Sequence, residues 1–295
     1  MSKKDRHLIA GIIIVALGAG ALLCLKGEHA GFTRETTQGE KNGIEPEPGR
    51  PALSNADSAP AELAIPAKYQ FAGVSGVLAA TDEADLLARY TPAQRELIGS
   101  FYAAYGVGRE SGGKYAFSNV FSFHSADQLR WLVSQGFPTP DDVLAAAMMS
   151  DEELKTLSDR GNFKASAFYL GRQSAQLPKP GEAVNRAALA ADVDHLKLAG
   201  DILSEGSAFG PYAYARYALA SGQRGMALAS LGYAKQLGDM RDDFALAFAE
   251  ANPDIPPLEV LTGYQLVQST SMKNPRLRDL SALARRPRFE VFPNE

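Results

Sequence analysis

Four times between residues 91 and 153 a hydroxyl residue stands three positions ahead of an amide or acid: Thr91 before Gln94, Ser125 before Gln128, Thr139 before Asp142, and Ser150 before Glu153. In this pattern a side-chain oxygen takes an N–H that a helix's first turn leaves unpaired, and the later side chain can answer it. Pro92 and Pro140 fall at the first helical position, where a missing N–H costs nothing. Apolar residues follow, such as Leu129, Trp131, Leu132 and Val133, the run from Val143 to Met149, and Leu154 with Leu157. Gly106, Gly136, Gly161 and Gly238 stand where helices should stop. No alternating β-branched run of strand length occurs between Tyr69 and Ala284. Only Arg288-Phe289-Glu290-Val291-Phe292 alternates, too isolated to form a sheet alone. A chain written this way buries its core between helices, and the expected fold class is all-α.

The amino terminus reads differently. Lys3, Lys4 and Arg6 precede eighteen uncharged residues from Leu8 to Leu25, and Lys26 closes the run. As a helix it spans roughly 27 Å, about the hydrocarbon thickness of a bilayer. Basic flanks stay cytoplasmic, so the expectation is a single-pass inner-membrane protein with its body in the periplasm. Three readings stay open: an uncleaved signal anchor, a secretory signal cleaved after Ala19-Gly20-Ala21, and a lipoprotein with lipid on Cys24. Residues 27–68 hold five of the 17 prolines and almost no aromatic residue. Such a composition cannot bury enough apolar surface to offset chain ordering, so it reads as a disordered tether. The expected organisation is residues 1–26 as basic flank and membrane helix, 27–68 as linker, 69–285 as helical body, and 286–295 as tail.

Composition narrows the function. Cys24 is the sole cysteine, which excludes a disulfide framework and a cysteine zinc site. His7, His29, His124 and His195 are scattered, with no HExxH pair. A net charge of −4 argues against nucleic acid as a partner. Asp192, Asp194 and His195 lie on one expected helix and read as a solvated face rather than metal ligands. His124, Ser125 and Asp127 contain the residue types of a hydrolytic triad. Sequence neighbours rarely adopt its geometry, and Ser125 reads as a helix cap. No cofactor is expected.

Internal comparison is more informative. Gly161-Asn162, Gly206-Ser207 and Gly238-Asp239 each precede a helix, at spacings of 45 and 32 residues. Between Gly206 and Gly238 one helix carries Ala213, Ala215 and Leu219, Gly222 to Gly225 forms a turn, and a second helix carries Ala227, Leu231, Ala234 and Leu237. Ala227 and Ala234 share a face, expected to meet Ala213 or Ala215. Ala229 lies about 140° further round and should tolerate a larger side chain if it faces solvent. With Gly238-Asp239 after the alanines, the unit resembles a Sel1-like or tetratricopeptide-like repeat, over about residues 150–250. The resemblance implies antiparallel helix pairs in a short α-solenoid; without it the reading is an irregular helical bundle. It also implies a scaffold or adaptor that binds another envelope protein or peptide.

Tyrosine and arginine crowd this unit. Tyr212, Arg216 and Tyr217, with Arg224 and Tyr233 nearby, are the expected partner-binding residues, because both residue types join large contact area to a polar end. Lys273, Arg276, Arg278, Arg285, Arg286 and Arg288 form a basic segment suited to anionic headgroups or an acidic partner. The alternative function rests on Glu110-Ser111-Gly112-Gly113. That Glu-Ser pair is similar to the acid of lytic transglycosylases, although no Gly-Leu-Met-Gln segment follows. It implies a cell-wall glycan enzyme with Glu110 as general acid. The expectation is a non-catalytic chain.

Overall fold

The computed structural model describes residues 65–105, 119–177, 186–240, 244–274 and Leu277. The expected membrane segment with Cys24, the expected linker up to residue 64, Glu110, Gly106 and the C-terminal basic segment beyond Lys273 lie outside them. Among the described residues there are twelve α-helices, two 3-10 turns and no strand. None of these helices is long and apolar enough to cross a membrane. The described residues belong to one compact unit that begins at Ala64.

The helices start where capping chemistry puts them. After the short α1 (Ser75–Leu78) and α2 (Glu83–Ala88), α3 (Pro92–Ala103) opens on a reciprocal Thr91–Gln94 box. The boxes Thr139–Asp142 and Ser150–Glu153 open α5 (Pro140–Met148) and α6 (Asp151–Asp159) in the same way. At α4 (Ala126–Ser134) the exchange shifts by one residue. Ser125 accepts from the Gln128 N–H, while the Gln128 side chain accepts from the His124 N–H at 2.5 Å. Gly136, Gly161, Gly206 and Gly238 have φ of 82°, 84°, 81° and 103°, the left-handed region that glycine enters without strain. The three repeated glycines therefore do share one backbone role. Asn162 caps the helix after the first of them, α7 (Phe163–Ser174), by accepting from the Ala165 N–H at 3.0 Å.

The rest of the body is α8 (Arg186–Ser204), α9 (Gly210–Ala220), α10 (Arg224–Gln236), α11 (Phe244–Ala251) and α12 (Pro257–Ser271). The pairs α6/α7, α8/α9 and α9/α10 pack in chain order. In an open solenoid each unit touches only its neighbours. Here α12 lies along α10 and also returns to α8, where Asn274 Nδ2 donates to the Ser204 carbonyl at 3.0 Å. The helices α8, α9, α10 and α12 thus close on one another.

One expectation needs correction. Ala229 is fully buried, as are Ala227 and Ala234, because α10 is enclosed by α9, α11 and α12 together. A helix with neighbours on three sides has no solvent face to spare for a larger side chain.

Asp142 and Lys164 form a polar clasp inside this core. Both side chains are fully buried, and Lys164 Nζ meets Asp142 Oδ2 at 2.6 Å. The same carboxylate accepts from the Ala72 N–H at 2.9 Å and the Thr139 N–H at 2.7 Å. It therefore ties α5 to α7 and to the chain before α1. Burial pulls the Lys164 ammonium below its ordinary value, and Asp142 opposes that shift. Such a pair, with its remaining valences filled, holds register; losing one partner strands a buried charge.

Candidate functional site

An open pocket of about 210 Å³ lies between α3, α5, α7 and α9. Helical spacing builds its walls. Leu97 and Phe101 are four apart on α3; Val143, Ala146 and Ala147 share a face of α5; Phe168, Gly171 and Arg172 share one of α7. From α9 comes Arg216. The side chains are apolar apart from the two arginines.

Those arginines differ in what they have left to offer. Arg172 donates to the Ala146 carbonyl at 2.6 Å, the Met149 carbonyl at 2.8 Å and Asp151 Oδ1 at 2.8 Å. It finishes the carboxyl end of α5 and is neutralised by Asp151. Arg216 lays its guanidinium over the Tyr105 ring, 4.6 Å from the centroid. No acidic side chain pairs with it among the described residues. Among the described residues the pocket therefore carries an unbalanced positive charge whose planar group is held by an aromatic face.

Tyr105 is 4% exposed, and its hydroxyl lies beside the Arg216 guanidinium without a well-aligned hydrogen bond among the described residues. Burial pushes its phenol above the ordinary value, and the Arg216 charge and its nearby N–H groups draw it part of the way back. Gly171 makes this arrangement possible. A Cβ at Gly171 would stand 2.9 Å from Tyr105 Oη and 3.1 Å from Arg216 Nη1. Any side chain there would push both polar groups away from the pocket.

The five expected partner-binding residues separate in space. Tyr212 and Tyr217 are buried because α9 is flanked by α7, α8 and α10, and Tyr233 because α10 is enclosed by α9, α11 and α12. Tyr212 Oη donates to Asp239 Oδ2 at 2.9 Å. Arg224, at the start of α10, pairs with Asp254 at 2.9 Å and joins that helix to the segment before α12. Only Arg216 reaches the pocket, so no exposed tyrosine groove runs across the unit. Leu97, Phe101 and Phe168 were not singled out by the sequence; their i, i+4 spacing marks a helix face but not which helix it meets.

The other residue types with catalytic or metal-binding chemistry do not assemble into a site among the described residues. Ser125 caps α4, Asp127 pairs with Arg130 at 2.7 Å, and His124 is exposed. His195 stands edge-on to Tyr169 with ring centroids 6.4 Å apart, and its Nδ1 is buried without a hydrogen-bond partner among the described residues. No group of three or more potential metal ligands occurs among the described residues. No family model matches the chain, and no curated protein or solved structure is significantly similar to it.

Proposed function

We propose that this chain is a membrane-anchored, extracytoplasmic helical scaffold that holds another protein or peptide of the bacterial envelope. The observation that supports this reading best is the pocket between α3, α5, α7 and α9. It joins apolar walls to an arginine without an acidic partner among the described residues, and such recesses are where interface anchors seat. The Gly206–Gly238 hairpin supports it further through its likeness to Sel1 and tetratricopeptide units, which we take to be assembled here as a short array closed by α12. The basic flank and apolar run of residues 1–26 supply the anchor, and the Pro-rich stretch from residue 27 to the start of the compact unit at Ala64 supplies the tether.

A photo-crosslinking amino acid at Leu97, on the pocket rim, tests the scaffold in intact cells. Illumination should produce one adduct of discrete mass, absent when the same group is placed at Lys155 on α6. No adduct from either position overturns the partner-binding reading. Alkaline phosphatase fused after Lys68 should be active; strong activity of a cytoplasm-only reporter at that site would overturn the topology.

A further inference from the structure

The scaffold reading leaves open what its pocket accepts, and geometry and charge narrow the choice. We propose that the pocket between α3, α5, α7 and α9 takes the C-terminal residue of a partner polypeptide. The free carboxylate lies on Arg216, and a bulky apolar side chain lies among Leu97, Phe101, Val143 and Phe168. The inference rests on the scaffold reading and specifies its partner.

Size comes first. At about 210 Å³ the pocket is below the roughly 300–1,000 Å³ of small-molecule and cofactor sites. It suits a single large side chain. The walls set the polarity of that side chain, since a polar group among them would lose its water without gaining a partner.

Charge comes second. A planar guanidinium presents a fork of donors that matches a carboxylate, and stacking on Tyr105 holds it in place before binding. The buried Tyr105 hydroxyl lies behind Gly171, beside the Arg216 guanidinium, so the aromatic support is on the inner side of the arginine and leaves its outer edge toward the pocket. Arg172 does not compete for the ligand, because Asp151 and two carbonyls already occupy it.

The third argument separates a chain terminus from an internal acid. A recess this small needs its carboxylate and its apolar group on one residue. An internal aspartate or glutamate brings no apolar group of its own, and its extended-chain neighbours point to the opposite side. A C-terminal leucine or phenylalanine carries both groups on a single Cα. Capture of a terminal carboxylate is a recurring mode of peptide recognition.

The test uses the full-length protein purified from detergent-solubilised membranes and fluorescein-labelled Gly-Ser-Gly-Ser-Phe, read by anisotropy. The free acid should bind saturably, and its C-terminal amide about 10- to 100-fold more weakly. Arg216→Met should weaken the acid to the level of the amide, and Arg216→Lys should restore part of the preference. Ala147→Trp alters an exposed wall residue and should block the pocket while leaving the melting temperature unchanged. Replacing the terminal Phe by Asp should abolish binding.

Equal binding of acid and amide, or binding indifferent to both Arg216→Met and Ala147→Trp, overturns the proposal. N-acetylphenylalanine carries the same carboxylate and ring and should compete with the peptide; its failure to compete would also overturn the proposal. A discrete adduct at Leu97 together with peptides that fail these tests sinks the carboxylate inference alone. Absence of both sinks the scaffold reading with it.

Discussion

The two halves of the body hold their helices together by opposite means. Around α3 and α4 the core is aromatic. Phe101 contacts Tyr102, Tyr105 and Phe168 with ring centroids 5.0–5.4 Å apart, and Phe209 meets Tyr105 at 5.2 Å and Phe137 at 5.3 Å. Large rings keep the backbones apart and fill the space with edge-to-face and tilted pairs. Between α10 and α12 the material is glycine. A Cβ on Gly225 would overlap the Glu259 carbonyl, and one on Gly263 would overlap the Gly225 carbonyl. There the backbones themselves are in contact, with no side chain able to move aside. The aromatic half is sensitive to losing volume and the glycine half to gaining it, which is the expected behaviour of interiors packed at crystal-like density.

Alkali should have the largest effect, and it should fall more heavily on the aromatic half. Burial raises the phenols of Tyr90, Tyr102 and Tyr105, and pushes Tyr214 on α9 up to about 12. Folding thus favours the neutral phenol, so this stability is intact below the unfolded value of 10.0 and is lost as pH rises beyond it. Phenolate absorbance and loss of helical ellipticity should appear in one cooperative step above pH 10. Independent ionisation near pH 10 with the helices intact would break the contrast.

Volume changes come next. Phe209 is fully buried at the meeting point of α3, α9 and the Phe137 turn, and Phe209→Ala should cost about 3–5 kcal/mol in denaturant unfolding. In the glycine half the damaging change adds atoms. Gly263→Ala should cost about 3 kcal/mol, and Ala229→Leu and Ala234→Leu about 1–3 kcal/mol each, since both alanines are buried. Wild-type stability in Gly263→Ala would show that α10 and α12 do not touch at this point.

A glycine in the aromatic half supplies the control. Gly99 lies inside α3, and a Cβ there meets nothing within 4 Å. Gly99→Ala should therefore stabilise by about 0.5–1 kcal/mol through helix propensity alone. The same substitution then has opposite signs in the two halves; a loss at Gly99 would erase the distinction.

The smallest effect belongs to neither half. The Ser150 N–H and hydroxyl hold the exposed Glu153 carboxyl below its ordinary value of 4.5. Its contribution is present above that pH and is lost as pH falls through the lowered folded value. Glu153→Gln should slightly flatten the acid limb of a stability–pH curve, and an unchanged limb would assign the capping box no ionic part.

Local chemistry in the sequence was enough to specify the helices. Thr91, Thr139 and Ser150 each act on a backbone N–H three residues away, and Gly161, Gly206 and Gly238 each relieve a steric clash within their own residue. Interactions of such short range need no knowledge of the rest of the fold, so the all-α class and the starts of α3, α4, α5 and α6 were legible. Tertiary structure alone decided which faces meet. Asp142 was visible as a cap, but its second role depends on Lys164 arriving from α7, 22 residues later. Tyr212, Tyr217 and Tyr233 look like contact residues in a list of amino acids and are core, because α7, α8, α10 and α12 cover the helices that carry them. Arg216, on the same helix as Tyr212 and Tyr217, instead emerges beside Tyr105 and Gly171 at a pocket assembled from four helices. Burial and pairing are properties of three-dimensional neighbourhood, and the spacing of residues along one helix does not contain them.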